Sequence, residues 1–393
     1  MAPLYFDANA TTPVLPEIVR AMEPFWTEHF GNASSTHPMG RTAQKAMREA
    51  RRRAAALIGA LDDQEIIFTS GGTESNNAAI RSALATSGKK HIVTSAVEHS
   101  SIRQLCTQLE KEGYLVTSIG VDSEGRLKMD DLRRALSDDT AIVSLMMANN
   151  ETGVLFPVEE IGRLVREKGI LFHVDAVQAA GKVPVDLKNS TIDFLSLSAH
   201  KFYGPKGIGA LYARKGVPFQ SFIWGGSQQH GRRAGTENVA GAAGLGAACQ
   251  MAAGDFEKET NRLKELRDEF EKEINAKING VVIHGSQTAR LVNTSSVRFE
   301  NIKAETLIAA LEQKGICVST GSACMSGSSE PSHVLKAMGI SEEETLSAVR
   351  FSFGRGTQRE GVRILISELT AITGRLRGMQ SPKIHSQSMA GIL

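Results

Sequence analysis

Leu195-Ser196-Leu197-Ser198-Ala199-His200-Lys201-Phe202-Tyr203-Gly204-Pro205-Lys206-Gly207 is the stretch on which the reading of this chain turns. The apolar run from Phe194 to Leu197 has the length and composition of a buried strand. Gly204-Pro205 breaks the chain directly afterwards, so Ser198, His200 and Lys201 fall where that strand ends. A lysine in such a place is either a solvated surface amine or a partly desolvated nucleophile able to form a Schiff base. Taken alone, the segment favours the surface amine; its neighbours in the chain reverse that.

Working outward, short apolar runs alternate with helical patterns from about residue 65 to residue 213. Strands are expected at 65–69, 91–95, 115–119, 141–147, 171–175, 194–198 and 209–212, and helices at 74–86, 100–111, 130–136 and 158–168. This alternation predicts an α/β domain with a largely parallel sheet covered on both faces. In such sheets ligands bind outside the carboxyl ends of the strands. On the N-terminal side a polar turn at 7–13 leads into an amphipathic helix over 16–29, then a loop at 31–35 and a helix over 41–59. The cations of that last helix (Lys45, Arg48, Arg51, Arg52, Arg53) read as a solvated face. On the C-terminal side, 239–254 is apolar and Ala/Gly-rich but too short to span a membrane. A charged helix follows over 257–277. A boundary near Gly254 divides a large α/β domain, 15–256, from a smaller α+β domain, 257–393, with residues 1–14 packing near the latter. The smaller domain is expected to hold strands at 281–284, 294–299, 316–319 and 348–353, and residues 381–393 to fray.

Composition narrows the function class. The 393 residues are 41% hydrophobic and 22% charged, an ordinary globular balance. A net charge of +2 gives no electrostatic case for nucleic acid or a membrane surface. No basic segment followed by an apolar one opens the chain, so no signal peptide is expected. Cys106, Cys249, Cys317 and Cys324 fit neither a zinc spacing nor a disulfide framework, which points to a reducing, cytoplasmic compartment. Three of them, Cys106, Cys249 and Cys317, read as core. Cys324 does not: the eleven residues from Ser319 to Ser329 include five serines and two glycines, a polar loop with the thiol at its centre, available for chemistry.

Several turns around Lys201 share its position at strand ends. Phe68-Thr69-Ser70-Gly71-Gly72-Thr73-Glu74 is a strand, a glycine turn and a helix start, where backbone N–H groups and the helix dipole can hold a phosphate. No Lys-Ser/Thr pair follows, so it is not a nucleotide P-loop. His173-Val174-Asp175-Ala176-Val177-Gln178 sets an acid at the end of a buried strand, and a buried carboxylate needs a partner: a protonated pyridine nitrogen, or an arginine elsewhere in the fold. Asn149-Asn150-Glu151-Thr152-Gly153 and Val97-Glu98-His99-Ser100-Ser101 follow two further strands, as site loops or as simple loop caps. A phosphate-type turn, an acid and then Ser-x-His-Lys together suit pyridoxal 5′-phosphate (PLP), which needs a lysine for its Schiff base and an acid on its ring nitrogen.

These residues resemble the NifS/IscS-type cysteine desulfurases of the class V aminotransferase group. The matching segments are 7–13, 70–76, 98–100, 149–153, 173–178, 198–209, 235–238, 322–324 and 350–353, spread along nearly the whole chain. The resemblance implies a homodimer whose subunit has the aspartate-aminotransferase-like fold (fold type I), with a mostly parallel seven-stranded sheet. It implies that Lys201 holds the cofactor, Asp175 pairs with the ring nitrogen, Gln178 bonds the ring hydroxyl and His99 stacks on the ring. Gly72, Thr73, Ser198 and His200 would grip the phosphate, with Thr236 reaching it from the other subunit. Asn150 and Arg350 would hold the substrate, L-cysteine, and the Cys324 thiolate would take its sulfur as a persulfide, leaving alanine. His99 or the substrate itself would assist deprotonation of Cys324. The sulfur would pass to an iron–sulfur scaffold or another acceptor protein, Cys324 transiently contributing to a nascent metal cluster.

Two departures stand out. Gln229 and His230 occupy positions where that family commonly has Glu and Arg, and the C-terminal tail, near which family acceptors dock, matches no family pattern. The rival readings are a class V aminotransferase, which would not need Cys324, a selenocysteine lyase, and a scaffold that keeps the cofactor only for folding, which Lys201 and Asp175 argue against.

Overall fold

The seven strands predicted between residues 65 and 213 form one sheet. In chain order they are β1 (Ile66–Thr69), β2 (His91–Ser95), β3 (Leu115–Ile119), β4 (Thr140–Met146), β5 (Leu171–Asp175), β6 (Phe194–Ser198) and β7 (Gly209–Ala213). The computed structural model describes residues 3–321 and 331–380. Across the sheet the order is β1-β7-β6-β5-β4-β2-β3. Only β7 runs against its neighbours, and because it pairs antiparallel with both β1 and β6, β1 is restored to the direction of the rest. The carboxyl ends of β1, β2, β4, β5 and β6 therefore open on one side, which is what gathers residues from positions 70 to 201 into one place.

Side-chain alternation separates the two faces. Ile66, Phe68, Val93 and Val143 belong to one buried cluster, Ile67, Ile92 and Ile142 to another. Helices Gly72–Ser87 and Ser100–Lys111 cover the second face, while Pro38–Leu57, Val158–Glu167 and Val239–Gly254 contribute to the first. Strands buried on both faces read as continuous apolar runs, as parallel strands do. The Ala/Gly-rich composition of Val239–Gly254 has a steric cause: a Cβ on Gly246 would stand 2.6 Å from the Ala50 Cα, so only small residues let it pack on Pro38–Leu57.

A third cluster is built from β8 (Val281–Ile283), β9 (Thr294–Phe299) and β10 (Ala348–Ser352), antiparallel in the order β10-β9-β8, with helices Phe256–Lys277, Ala304–Glu312 and Arg359–Gln380. Phe270 anchors it, its ring 4.9 Å from Phe351 and 5.6 Å from Phe353. The N-terminal strand Leu4–Tyr5 pairs with Ile316–Cys317, and Phe6 is buried in this third cluster.

The structure corrects three expectations. The helix predicted over 16–29 is two, Pro16–Met22 and Pro24–Thr27, because Pro24 has no N–H with which to continue the ladder. The strand expected over 316–319 stops at Cys317, where Leu4–Tyr5 ends as its partner. Cys317 is half-buried rather than core, whereas Cys106 and Cys249 are buried. Among the described residues no helix is long and apolar enough to cross a membrane. The expected fraying of 381–393 lies outside the described residues.

Gly209 ties the sheet to its loops. A Cβ there would meet the Leu197 carbonyl oxygen at 2.5 Å and the Gly71 Cα at 2.7 Å. Gly209→Ala is expected to lower stability by about 1–3 kcal/mol, the usual range for overpacking, with the midpoint of denaturant unfolding as the check.

Candidate active site

Nine of the residues singled out in the sequence line one cavity of about 200 Å³: Gly72, Thr73, His99, Asn150, Asp175, Gln178, Ser198, His200 and Lys201. Each sits on, or just after, the carboxyl end of a strand. β5 ends at Asp175 and β6 at Ser198, and a single 3₁₀ turn, Ala199–Lys201, then carries Lys201 into the cavity. Lys201 Nζ donates to the carbonyl oxygens of Asn9 (2.7 Å) and Ala10 (2.8 Å). The polar turn at 7–13 therefore forms part of the site wall, a role that no local feature of the sequence signals.

Asp175 is buried, and its carboxylate accepts the Val177 N–H at Oδ1 (2.9 Å) and an Asn76 Nδ2–H at Oδ2 (2.8 Å). Among the described residues it makes no ion pair. A buried carboxylate without a cation is unfavourable, and a cationic ring nitrogen in this cavity would correct that. Gly72 lies so close to Val177 that a Cβ would stand 2.6 Å from its Cγ2, and it opens the sixteen-residue helix Gly72–Ser87 with its N-terminus on the cavity. Ser198 and His200 flank it; burial, then Lys201, pushes the His200 imidazole down to about 4, so it is neutral, with Nδ1 and the Thr11 hydroxyl 3.0 Å apart. The donor set, the acid and the lysine fit PLP.

Beneath the strand ends, His173 sits between the hydroxyls of Ser144 (2.8 Å) and Ser196 (2.9 Å), held neutral by burial with its pKa pushed down to about 3. Lys182 and Lys201 share a smaller cavity of about 30 Å³ behind the site. Burial, then the charge of Lys201, lowers the Lys182 ammonium to about 7, and its Nζ donates to Gln178 Oε1 at 3.4 Å. The Gln178 Nε2 in turn donates to the Asn9 carbonyl oxygen at 2.9 Å.

Two of the named residues, Arg350 and Thr236, do not line the cavity. Arg350 is buried beside it, its Nη2 on Asp7 Oδ1 (2.7 Å) and its Nη1 on the carbonyl oxygen of Asn150 (3.0 Å). It lines a neighbouring space of about 660 Å³ with Glu151, Gly321 and Ser332. Thr236 is exposed on the 228–238 loop. Cys324 lies outside the described residues. In the Asn149–Gly153 loop both readings hold: Asn149 caps it, accepting the N–H groups of Glu151 and Thr152, while Asn150 lines the site.

The departure at Gln229 also finds its partners. Its Oε1 accepts from the Phe68 N–H and Arg51 (3.0 Å each), and its Nε2 donates to Glu237 (2.7 Å). An amide can accept and donate at once, so one buried side chain fastens the 228–238 loop to β1. Arg233 adds a two-pronged pair with Glu74, in the first turn of the phosphate-type helix.

The family is now identifiable. Residues 4–365 match the model of the aminotransferase class-V family. A cysteine desulfurase of Bradyrhizobium diazoefficiens is 50% identical over 388 residues, 98% of each chain. Of solved structures, a NifS-like protein superposes with a TM-score of 0.89 at 37% identity, covering 95% of this chain and all of its own. The structure titled "SspA in complex with cysteine" gives 0.80 at 35% identity over 89% of this chain and 98% of its own. The chain belongs to the aminotransferase class-V family. Its place within that family is among the cysteine desulfurases, and it is a PLP-dependent enzyme.

One buried acid beside the cavity has a measurable signature. Glu98 is fully buried; its Oε1 accepts the Ser95 hydroxyl (2.5 Å) and the Met146 N–H (3.0 Å), and its Oε2 has no partner among the described residues. Burial pushes its carboxyl from an ordinary 4.5 up to about 8. The folded chain then holds a proton that the unfolded chain releases, so this group's contribution to stability falls as pH rises from about 4.5 to about 8. Glu98→Gln, which keeps the shape without the titration, is expected to gain stability relative to wild type across that window. Denaturant midpoints at several pH values are the check, and a parallel pair of curves would contradict it.

Proposed function

We propose that the 200 Å³ cavity is the PLP site of this cysteine desulfurase and that Cys324 receives the sulfur. The observation that carries the reading is the buried Asp175 carboxylate, in no ion pair among the described residues, in the same cavity as Lys201. Asp175 would hold the ring nitrogen protonated and Gln178 would donate to the ring hydroxyl. Gly72, Thr73, Ser198 and His200 would hold the phosphate, with Thr236 of the partner subunit completing the grip in a homodimer. When bound, the cofactor supplies an electron sink for charge developing at the substrate α-carbon. The Lys201 amine would stand where it can take the α-proton of the bound substrate and return it within the cavity.

L-Cysteine is the substrate this reading requires. Arg350 presents a planar fork suited to its carboxylate, next to Asn150, and Asp7 already holds one arm of that fork in place. The Cys324 thiolate attacks the substrate sulfur. The Cβ–S bond breaks, an S–S bond forms, and the substrate carbon takes up a proton to become alanine. The outer sulfur of the Cys324 persulfide then passes to an iron–sulfur scaffold protein or another acceptor in the cytoplasm.

The test is alanine and sulfide production from L-cysteine under a thiol reductant. Wild type is expected to make the two in equal amounts. Lys201→Ala and Cys324→Ala are each expected to lose on the order of 10²-fold or more, the range for removing a proton-transfer or nucleophilic group. Equal alanine from wild type and Cys324→Ala would exclude Cys324 as the sulfur acceptor. No alanine from the cofactor-loaded wild type would overturn the reading.

A further inference from the structure

His99 and Asp175 reach the cavity from different strands, yet they are joined by hydrogen bonds through Asn76 and Ser101. Asn76 Nδ2 donates to Asp175 Oδ2 (2.8 Å) and to Ser101 Oγ (2.9 Å). Ser101 Oγ stands 2.9 Å from His99 Nδ1, and the Ser101 backbone N–H donates to the same nitrogen at 3.2 Å. Asp175, Asn76 and Ser101 are all buried.

The direction of every link is fixed. An ionised carboxylate only accepts, so the Asn76 amide must turn its NH₂ toward Asp175. That orientation leaves Asn76 Oδ1 buried with no partner among the described residues, which a freely chosen amide orientation would avoid. With its oxygen accepting from Asn76, the Ser101 hydroxyl has His99 Nδ1 as the acceptor for its own proton. A backbone N–H can only donate, so Nδ1 must supply a lone pair there as well. In the neutral imidazole the proton is therefore on Nε2.

We propose that the Asp175 carboxylate, acting through Asn76 and Ser101, sets the tautomer of His99, so that the neutral ring presents an N–H donor, not a lone pair, to the cavity. Asn76 and Ser101 are positioning residues in this arrangement. One charge then serves twice, at the ring nitrogen and at the opposite wall of the site. It follows that neutral His99 can donate a hydrogen bond at Nε2 and has no lone pair there to take a proton, so deprotonation of a thiol in the cavity falls to another group.

The inference rests on the site assignment above, but its test does not depend on turnover. The holoenzyme, with ¹⁵N-labelled histidine, is examined by NMR at a pH where the ring is neutral, the His99 signals being assigned by their loss in His99→Gln. The expected result is a protonated-type shift at Nε2 and an unprotonated-type shift at Nδ1. In Asn76→Leu and in Ser101→Ala the two shifts are expected to draw together as the second tautomer becomes populated. An Nδ1–H tautomer in wild type overturns the proposal. So do wild-type shifts in both variants, since the backbone N–H alone would then hold the ring. Because Ser101→Ala removes only a hydroxyl, it keeps the test decisive should Asn76→Leu fail to fold. Alanine production by the same protein separates failure of this inference from failure of the desulfurase reading.

Discussion

A negative charge buried at the end of a strand is the constraint around which this molecule is arranged. Asp175 has two N–H donors and, among the described residues, no ion pair. Two nearby titratable groups are neutral: His173 lies on the same strand between two serine hydroxyls, and burial holds Glu98 in its protonated form around neutral pH. A carboxylate left in this way calls for a cation brought in from outside the fold. The geometry fits a ligand with a protonated ring nitrogen, and the helix start at Gly72 and the lysine border the same cavity.

The second dependence is on the N-terminal segment. The carbonyl oxygens of Asn9 and Ala10 receive Lys201, Asn9 Nδ2 donates to Thr294 (2.9 Å), and Asp7 holds Arg350. Three residues, Asp7, Asn9 and Ala10, thus touch the lysine, the arginine and β9 at once. The arginine that would meet the substrate is therefore positioned relative to the lysine through backbone carbonyls and one part-buried ion pair.

What could be read from the sequence follows from which interactions are local. β2, β5 and β6 have the predicted limits because strands buried on both faces stand out as runs between turns, and β3, the half-exposed edge strand, has its predicted limits too. Gly72, Asp175 and Lys201 were legible because each is the strand-end residue of a short motif whose chemistry is distinctive. Asn76, Ser101 and Asn9 were not: the links Asn76–Ser101, Asn76–Asp175 and Asn9–Lys201 span 25, 99 and 192 positions, and no period or spacing encodes such a pairing. Asn76 does occur at the fifth position of the phosphate-type helix, one turn after Gly72, where a polar residue facing a buried carboxylate could have been suspected. The 16–29 helix was misread by giving its amphipathic period more weight than Pro24, and Cys317 by reading an apolar run as core where the strand lies at the rim of its cluster.

The central claim is that Lys201, and not its neighbour Lys182, is the amine that the Asp175 site presents. Both border the same internal space, and burial, then the charge of Lys201, lowers the Lys182 ammonium to about 7. The protein loaded with PLP, reduced with borohydride and digested, would show by peptide mass which lysine carries the pyridoxyl group. The account predicts the label on the peptide containing Lys201. A label on the peptide containing Lys182, or on neither, would contradict it.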